Sequence, residues 1–258
     1  MMEQVGLGSA RSLEGRVAIV TGASRGIGEA IAAELVARGA KVAISSRKPE
    51  GIEAAAARIG GGHPDRVLPV TAHVARPEDS QELVQQTLAR WGRIDILINN
   101  AATNPHFGMT LEVALEAWDK TFEVNLRGPL ILTQLVHRAW MGGHGGAIVN
   151  VASIGGLKPA LGLGVYDVSK AALIMLTRQL ALELGRDGIR VNAVAPGIVK
   201  TDFAAPLWGN QEIARDTLEH NPLGRFAESP EVARAVAFLV SDEASYINGA
   251  VLPIDGGR

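Results

Sequence analysis

The sequence contains no cysteine among its 258 residues. Disulfide bonds, thiolate metal sites and cysteine nucleophiles are therefore excluded. The six histidines show neither H-x-H nor H-E-x-x-H spacing, and His144 lies among glycines in a pattern typical of a solvated loop. We therefore predict no catalytic metal. A chain without cysteine also suits a reducing compartment, so the cytoplasm is the expected location.

Long hydrophobic runs and an excess of one charge are also missing. No stretch reaches the roughly 18 apolar residues of a membrane span, and the first twelve residues lack the pattern of a secretory signal. Lys and Arg number 25 against 27 Asp and Glu, which gives a net charge of −2. Such a chain, without a basic run, predicts neither a membrane partner nor a nucleic-acid partner.

The sequence does contain a regular alternation of short apolar strands and helices with apolar faces. Hydrophobic residues make up 47% of the chain, which is enough for a sizeable core. Strands are predicted at 16–21, 42–45, 67–74, 94–99, 147–151, 189–194 and 251–254. Helices are predicted at 27–38, 50–59, 78–91, 115–140, 165–184 and 230–240.

This alternation predicts a single-domain, doubly wound α/β fold of the Rossmann type. It has a seven-stranded parallel sheet with helices on both faces, and its apolar strands are expected to be buried on both sides. We expect a flexible N-terminal segment at 1–12 and a dinucleotide-binding catalytic domain at 13–258, with a substrate loop at about 200–222. Ligands of such sheets bind at the carboxyl ends of the strands, so the residues after each strand are the candidate site.

A glycine-rich turn, Gly22 to Gly28, joins the first strand to the first helix. Its spacing, G-x-x-x-G-x-G, differs from the dinucleotide fingerprint and from the P-loop. Glycines let the backbone approach a pyrophosphate at the helix start. One alternative is a turn without a ligand. Another is the G-x-S-x-G elbow of a serine hydrolase around Ser24, which position disfavours because an elbow usually follows several strands.

Four further features follow in a fixed order. They are Asn99-Asn100-Ala101-Ala102 after the fourth strand, Asn125 in the long helix, Ser153 after the fifth strand, and Tyr166-x-x-x-Lys170. Together with the glycine turn, this set resembles the short-chain dehydrogenase/reductase family over nearly the whole chain. Shorter stretches at 45–48, 101–105 and 244–247 are similar to its NADP-dependent carbonyl and retinol reductase branch.

The resemblance implies an oxidoreductase that transfers a hydride between NAD(P)(H) and a carbonyl compound or secondary alcohol. It gives catalytic roles to Asn125, Ser153, Tyr166 and Lys170. Tyr166 is the expected acid/base, and Lys170, on the same helix face, is expected to lower its pKa and to bind the nicotinamide ribose. Ser153 would donate to the substrate oxygen, and Asn125 would hold a water that links Lys170 to solvent.

The family pattern also implies a set of cofactor-binding residues. These are Gly22, Ser24, Arg25, Gly26, Ile27, Gly28, Ser46, Arg47, Lys48, His73, Val74, Asn100, Ala101, Ala102, Tyr166, Lys170, Pro196, Gly197, Val199 and Thr201. An acid at the end of the second strand would favour NAD, but Ser46 stands there. Arg47 follows, and its planar fork suits a 2′-phosphate. Arg25 is expected to point to the same corner, so NADP is favoured, with NAD as the alternative.

Two positions depart from the family pattern. Ala102 stands where glycine is usual, which places a methyl group next to the cofactor. His73 stands where the family usually has an aspartate that helps to hold the adenine. The carboxylate contact to the adenine is therefore missing, and the backbone of Val74 remains as the expected contact to the adenine.

Apolar residues near the strand ends predict a substrate pocket. They are Phe107, Leu157, Leu161, Leu163, Phe203, Leu207 and Trp208. With few charges, this pocket favours an apolar or aromatic carbonyl compound, and the long loop suggests a lid. The same scaffold also suits a 3-oxoacyl-carrier-protein reductase, or a steroid or sugar alcohol dehydrogenase. A non-catalytic cofactor-binding protein is a further alternative, which the complete Asn–Ser–Tyr–Lys set disfavours.

The helical stretches 126–140 and 171–184 are apolar around more than one face. Residues 130, 131, 132, 135 and 136 are all apolar and do not fit on a single face against the sheet. A helix that is apolar on two sides needs a second partner surface. We therefore expect a homo-oligomer, and the family resemblance implies a homotetramer.

Overall fold

Seven parallel strands form the centre of the computed structural model. The structure describes residues 12–258, apart from the side chain of residue 213. The strands are β1 (Val17–Thr21), β2 (Lys41–Ser46), β3 (Val67–Thr71), β4 (Ile96–Asn99), β5 (Gly146–Val151), β6 (Ile189–Pro196) and β7 (Val251–Ile254). Their order across the sheet is β3-β2-β1-β4-β5-β6-β7. The order reverses between β1 and β4, and a crevice opens above their carboxyl ends at such a point.

Ten helices flank the sheet within the described residues. They are α1 (Gly26–Ala37), α2 (Pro49–Gly60), α3 (Pro77–Trp91), α4 (Leu115–Phe122), α5 (Gly128–Val136), α6 (Gly142–His144), α7 (Gly164–Leu184), α8 (Ala205–Trp208), α9 (Gln211–Glu219) and α10 (Ser229–Val240). The predicted Rossmann-type α/β fold is confirmed. The predicted N-terminal segment 1–12 lies outside the described residues, except for Ser12.

Alternate residues of each strand contribute to two separate core layers. In β1, Val20 packs in the layer that holds α1 and α10, whereas Ile19 packs in the layer that holds α3, α5 and α7. Both residues are fully buried. Hydrophobic helix faces therefore cover both sides of the sheet, which holds the strand ends in fixed positions.

The expectation that every strand is buried on both faces is wrong for β3 and β7. These strands lie at the two edges of the sheet. In β7 the two central residues, Leu252 and Pro253, are exposed, and β3 ends on the exposed Thr71. An edge strand has a neighbour on one side only, so helices of the same chain cover it less completely.

The predicted helix 115–140 is not regular throughout. Two π-helical turns, Glu123–Arg127 and His137–Met141, separate α4, α5 and α6 along one continuous helical path. A π turn adds a residue to the helical repeat and so rotates the side chains that follow it. Apolar periodicity does not reveal such an insertion, and π turns are frequently found at functional sites.

Two other boundaries differ from the sequence-based expectation. The third strand ends at Thr71 rather than at residue 74, which leaves His73 and Val74 in the following loop. The predicted substrate loop at 200–222 contains two helices, α8 and α9, that the sequence reading did not assign. No helix within residues 12–258 is long and apolar enough to cross a membrane.

A chain of buried hydrogen bonds links β4, β5 and α7. Asn99 Nδ2 donates to Asn150 Oδ1 at 2.8 Å, and Asn150 Nδ2 donates to Thr177 Oγ1 at 2.8 Å. Thr177 Oγ1 donates in turn to the carbonyl of Leu173 at 2.8 Å. Buried polar groups are stable only when they are paired in this way. The chain therefore fixes the two strands relative to the helix that carries Tyr166.

Candidate active site

A large cavity of about 1000 Å³ opens above the carboxyl ends of the strands. Nearly all predicted cofactor-binding residues line it, from the glycine turn, the ends of β2 to β4, the start of α7 and the loop after β6. The lining residues among them are Gly22, Ser24, Arg25, Gly26, Ile27, Gly28, Ser46, Arg47, His73, Val74, Asn100, Ala101, Ala102, Tyr166, Lys170, Pro196, Gly197, Val199 and Thr201. Lys48 is the exception: it precedes α2 and does not reach the cavity.

The glycine turn lies directly against the end of β4. A Cβ atom on Gly22 would come within 2.8 Å of Ala101 Cα, and one on Gly28 would come within 2.5 Å of the Gly22 carbonyl oxygen. Asn100 Nδ2 donates to the carbonyls of Thr21 and Gly22, at 2.8 and 3.1 Å. The close approach leaves no space for side chains, and Gly22 also has a φ of +65° that favours glycine.

This turn ends at the N-terminus of α1, where the backbone N–H groups are not yet paired within the helix. Bare glycine backbone and helix N–H groups together form a cradle for a pyrophosphate. Added Cβ atoms would fill that cradle, so the residues present fit a dinucleotide. Within residues 12–258, no three His, Asp or Glu side chains are grouped closely enough to hold a metal ion.

Tyr166 and Lys170 lie on one face of α7, as their spacing predicts, and Ser153 lies opposite them in the same cavity. Ser153 begins the short helical turn 154–156 after β5, where its Oγ accepts a hydrogen bond from the N–H of Gly155 at 3.1 Å. The Lys170 Nζ lies 5.6 Å from the centre of the Tyr166 ring and donates to the Val151 carbonyl at 2.7 Å.

Burial shifts the pKa values of Tyr166 and Lys170 in opposite directions. Burial raises the pKa of Tyr166 to about 12, although its hydrogen bond with Ser153 opposes the rise. Burial lowers the pKa of Lys170 to about 7, because the ammonium form loses its hydration. The expected lowering of the Tyr166 pKa by Lys170 is therefore wrong for this structure. The amino group of Lys170 is bound to β5, and desolvation dominates at both sites.

The Asn125 side chain makes three hydrogen bonds to other parts of the site. Its Oδ1 accepts from the Thr103 N–H at 2.8 Å, and its Nδ2 donates to the Thr103 carbonyl and to Ser169 Oγ, both at 3.0 Å. Ser169 Oγ donates to the Tyr166 carbonyl at 2.7 Å. Asn125 thus joins the loop after β4 to the helix of Tyr166. Its side chain does not line the cavity, and the expected water link between Asn125 and Lys170 stays a prediction.

Two arginines were expected at the ribose corner. Arg47 lines the cavity and is exposed. Arg25 also lines the cavity, but its Nη1 pairs with Asp202 Oδ2 at 3.2 Å, across the cavity mouth. Both partners are about 70% exposed, and ion pairs this exposed stabilise a fold by less than about 1 kcal/mol. Arg25 therefore connects the glycine turn to the substrate loop, and its expected place at the ribose corner stays a prediction.

His73 lies at the end of the cavity farthest from Tyr166 along the sheet. Its ring Nδ1 accepts from the Ala75 N–H at 3.1 Å, and its Nε2 lies 3.4 Å from Lys120 Nζ. Burial, followed by the charges of Lys120 and Arg47, lowers the pKa of His73. The ring is therefore neutral at physiological pH.

The substrate half of the cavity receives five of its seven predicted residues: Phe107, Leu161, Leu163, Phe203 and Leu207. The Phe203 ring lies 6.1 Å from the Tyr166 ring, centre to centre. Leu157 and Trp208 do not line the cavity, which corrects their assignment. Leu157 is exposed to solvent. Trp208 Nε1 donates to the Thr201 carbonyl at 2.9 Å, so Trp208 stabilises the substrate loop outside the cavity.

Charged residues also line the substrate half, contrary to the expectation of few charges. They are Lys158, Asp202, Glu212, Asp216 and Arg258. Glu212 and Asp216 lie four residues apart on α9, so a helical reading of that segment would have placed both on one face. The pocket is therefore apolar near Tyr166 and charged at its rim.

Comparison with known proteins agrees with this geometry. The model of the family described as "Enoyl-(Acyl carrier protein) reductase" matches residues 22–258. The human protein named "Dehydrogenase/reductase SDR family member 2, mitochondrial" is 43% identical over 256 residues, which cover 99% of this chain and 90% of that protein. "Dehydrogenase/reductase SDR family member 4" of Caenorhabditis elegans is 42% identical over 250 residues, 96% of each chain.

A solved structure with the same architecture is that of levodione reductase. It superposes with a TM-score of 0.90 at 37% sequence identity, and the match covers 95% of this chain and 98% of that one. Identity at this level over nearly the full length indicates common descent rather than a shared fold alone.

Proposed function

This chain belongs to the short-chain dehydrogenase/reductase family, and we propose that it is an NADP(H)-dependent enzyme that interconverts a carbonyl compound and a secondary alcohol. The observation that carries the proposal is the convergence of Tyr166, Ser153 and Lys170 with the glycine turn in one cavity. When bound, the nicotinamide supplies the hydride for reduction or accepts it in oxidation.

In the proposed reaction, Tyr166 exchanges a proton with the substrate oxygen. A phenol whose pKa is raised to about 12 is protonated at neutral pH, so it suits donation to a carbonyl oxygen. Ser153 Oγ would donate to the same oxygen as negative charge develops on it. Lys170, whose Nζ lies 5.6 Å from the centre of the Tyr166 ring and whose pKa is lowered by burial to about 7, would bind the nicotinamide ribose.

The preference for NADP over NAD is supported by the end of β2. Ser46 occupies the place where an acid would bind the ribose 2′-hydroxyl, and Arg47 lines the cavity beside it. A guanidinium next to a neutral side chain favours the doubly charged 2′-phosphate. The substrate we propose is an apolar or aromatic carbonyl compound, because Phe107, Leu163 and Phe203 lie around the cavity near Tyr166.

Assembly into a homotetramer is proposed from the outer face of α7. Val168, Met175 and Leu182 follow one another at seven-residue intervals and are 46%, 60% and 78% exposed. This spacing places them along one helix face, and an apolar stripe of this kind is expected to be covered by a second copy.

We propose the cytoplasm as the compartment from the absence of cysteine, although the human relative is named as mitochondrial.

A screen of carbonyl compounds, followed by NADPH absorbance, would identify a substrate for the decisive test. Tyr166→Phe removes the proton donor but keeps the ring, so turnover is expected to fall by roughly 10²- to 10⁴-fold. NADPH is expected still to bind, as measured by its fluorescence. Tyr246→Phe is the matched control, because Tyr246 is the second of only two tyrosines and is fully exposed. Substantial activity in Tyr166→Phe would refute the proposed mechanism.

A further inference from the structure

A tight turn at residues 160–163 forms part of the wall of the substrate half. The Leu163 N–H donates to the Ala160 carbonyl at 3.2 Å, and Gly162, the third residue of the turn, has a φ of +83°. A positive φ at this position is typical of a type II turn. Ala160, Leu161 and Leu163 all line the cavity, so the position of this turn sets the space that is left for a substrate.

Asp167, in the first turn of α7, makes two hydrogen bonds to the turn at 160–163. The Ala160 N–H donates to Asp167 Oδ2 at 2.8 Å, and the Asp167 N–H donates to the Leu163 carbonyl at 2.8 Å. Asp167 is 4% exposed and does not line the cavity. The two hydrogen bonds therefore fix the turn to the helix that carries Tyr166, and they add no group to the cavity.

The other carboxyl oxygen of Asp167 lies against the short helical turn that follows Ser153. A Cβ atom on Gly155 would collide with Asp167 Oδ1 and would lie 2.8 Å from Asp167 Cγ. The Gly155 N–H donates in turn to Ser153 Oγ at 3.1 Å. One buried carboxyl group thus contacts both the turn at Ser153 and the turn at 160–163, which lie on either side of the space in front of Tyr166.

The burial of this carboxyl group opposes its ionisation. Oδ1 is buried and has no hydrogen-bond partner among the described residues. Burial raises the pKa of Asp167 to about 6, although the hydrogen bond from the Ala160 N–H opposes the rise. An acid in a first helical turn is usually exposed, where it interacts with the helix dipole without this cost. A buried acid with a raised pKa next to catalytic residues is typical of a functional site.

We propose that Asp167 is a positioning residue for the substrate half, an inference that rests on the function proposed above. Its carboxyl group holds the turn at 160–163 at a fixed distance from Tyr166, so that the apolar side chains of the turn confine an aromatic ketone. Asp167 itself takes no part in proton transfer. Loss of its acceptor therefore weakens substrate binding and leaves cofactor binding intact.

Steady-state kinetics of the full chain, with NADPH and two matched methyl ketones, test this inference. The ketones are acetophenone, with one ring, and 2-acetonaphthone, with two. In Asp167→Ala, which removes the acceptor, KM for both ketones is expected to rise by roughly fivefold, the size of one lost hydrogen bond. The value of kcat is expected to change far less, because the interaction supports the bound ketone and the transition state alike. The dissociation constant of NADPH, measured by fluorescence, is expected to stay the same.

Asp167→Asn is the rescuing variant. Its amide oxygen accepts the same hydrogen bond from the Ala160 N–H, so KM is expected to stay near the value of the natural chain. Asp119→Ala, at an exposed position of α4, is the matched control and should change neither KM nor kcat. Ala160→Pro removes the same N–H from the side of the turn and leaves Asp167 in place. It is expected to raise KM as Asp167→Ala does, which decides the matter if Asp167→Ala does not fold.

The outcomes separate this inference from the proposed function. If the natural chain reduces neither ketone, the proposed aromatic substrate class fails, and the inference fails with it. If the natural chain reduces them and KM is unchanged in Asp167→Ala, the positioning role alone is overturned. An equal rise of KM in Asp167→Asn and Asp167→Ala would also overturn it, because Asn keeps the acceptor. So would a parallel loss of NADPH affinity, which indicates a general structural defect.

Discussion

The two halves of the active-site cavity are built from different parts of the chain. The cofactor half consists largely of backbone: at Gly22 and Gly28 a single added carbon would collide with neighbouring atoms. The substrate half consists of side chains on long connections, and Phe107, Leu161 and Phe203 are between 52% and 87% exposed. The cofactor half is therefore sensitive to one methyl group, whereas the substrate half can change its side chains without disturbing the sheet.

The sharpest test of this contrast is Gly28→Ala. The new Cβ would overlap the Gly22 carbonyl and the Asn100 side chain, both of which belong to the hydrogen-bonded turn. We expect dinucleotide binding to fall by at least about 100-fold, the size of several lost backbone contacts, as measured by NADPH fluorescence. Gly143→Ala is the matched control, since a Cβ there meets nothing within 4 Å. Near-normal binding in Gly28→Ala would mean that the turn is not the dinucleotide cradle.

A side-chain change in the cofactor half should alter preference rather than abolish binding. Arg47→Ala is expected to weaken NADPH by roughly 10- to 100-fold, the range for a lost charge-assisted contact, and to leave NADH nearly unaffected. Lys48→Ala removes the neighbouring cation, which does not line the cavity, and should change neither dissociation constant. Equal losses for NADPH and NADH in Arg47→Ala would contradict the proposed NADP preference.

In the substrate half, Phe203→Ala should act on substrates alone. Its ring lies beside that of Tyr166 and covers the cavity mouth. Removal of the ring is expected to raise KM for bulky aromatic substrates by roughly tenfold, in line with a partly buried apolar contact, and to leave NADPH affinity unchanged. Phe238→Ala, on α10 outside the cavity, provides the comparison. A parallel loss of NADPH binding would show that the two halves are not independent.

The smallest effect is expected at Asp167, which follows Tyr166. Burial raises the pKa of Asp167 to about 6, while the Ala160 N–H donates to its Oδ2 at 2.8 Å. The folded state thus binds this proton more tightly than the unfolded state, so Asp167 lowers stability as pH rises from about 4 to about 6.

Asp167→Asn removes that charge and should raise Tm by about 2 °C at pH 7.5, which corresponds to less than about 1 kcal/mol at a partly screened site, with no gain at pH 4. Thermal unfolding across this pH range provides the measurement. Asp119→Asn, at an exposed position of α4, should show no such dependence on pH. A gain that is the same at both pH values would assign the effect to something other than the buried charge.

The sequence identified most of the features that depend on local spacing. The Tyr166 and Lys170 pair, the glycine turn and the strand ends all follow from helix periodicity, from glycine conformation and from the rules of parallel sheets. The family resemblance, applied at those positions, implied the residues of the cofactor half, and all of them except Lys48 line the cavity.

Other properties depend on tertiary packing and were not accessible from spacing. The pKa of Lys170 is lowered because the side chain is buried, a fact that no local pattern contains. The π turn around Asn125 rotates the side chains that follow it, but 126–140 is apolar around more than one face, so the sequence indicated a regular helix. Trp208 is apolar and near the site, yet its indole N–H is used to brace the loop. Composition does not distinguish such a brace from a pocket wall.

The hydrogen-bonded chain from Asn99 through Asn150 to Thr177 has a consequence for how this chain diverges from its relatives. A substitution at one member leaves a buried amide or hydroxyl without a partner, at a cost of about 1–3 kcal/mol. The three positions are therefore constrained to change together in descendants of this sequence. The loops at the cavity rim carry no comparable restriction, so new substrate preferences can arise in a lineage while the placement of Tyr166 is inherited intact.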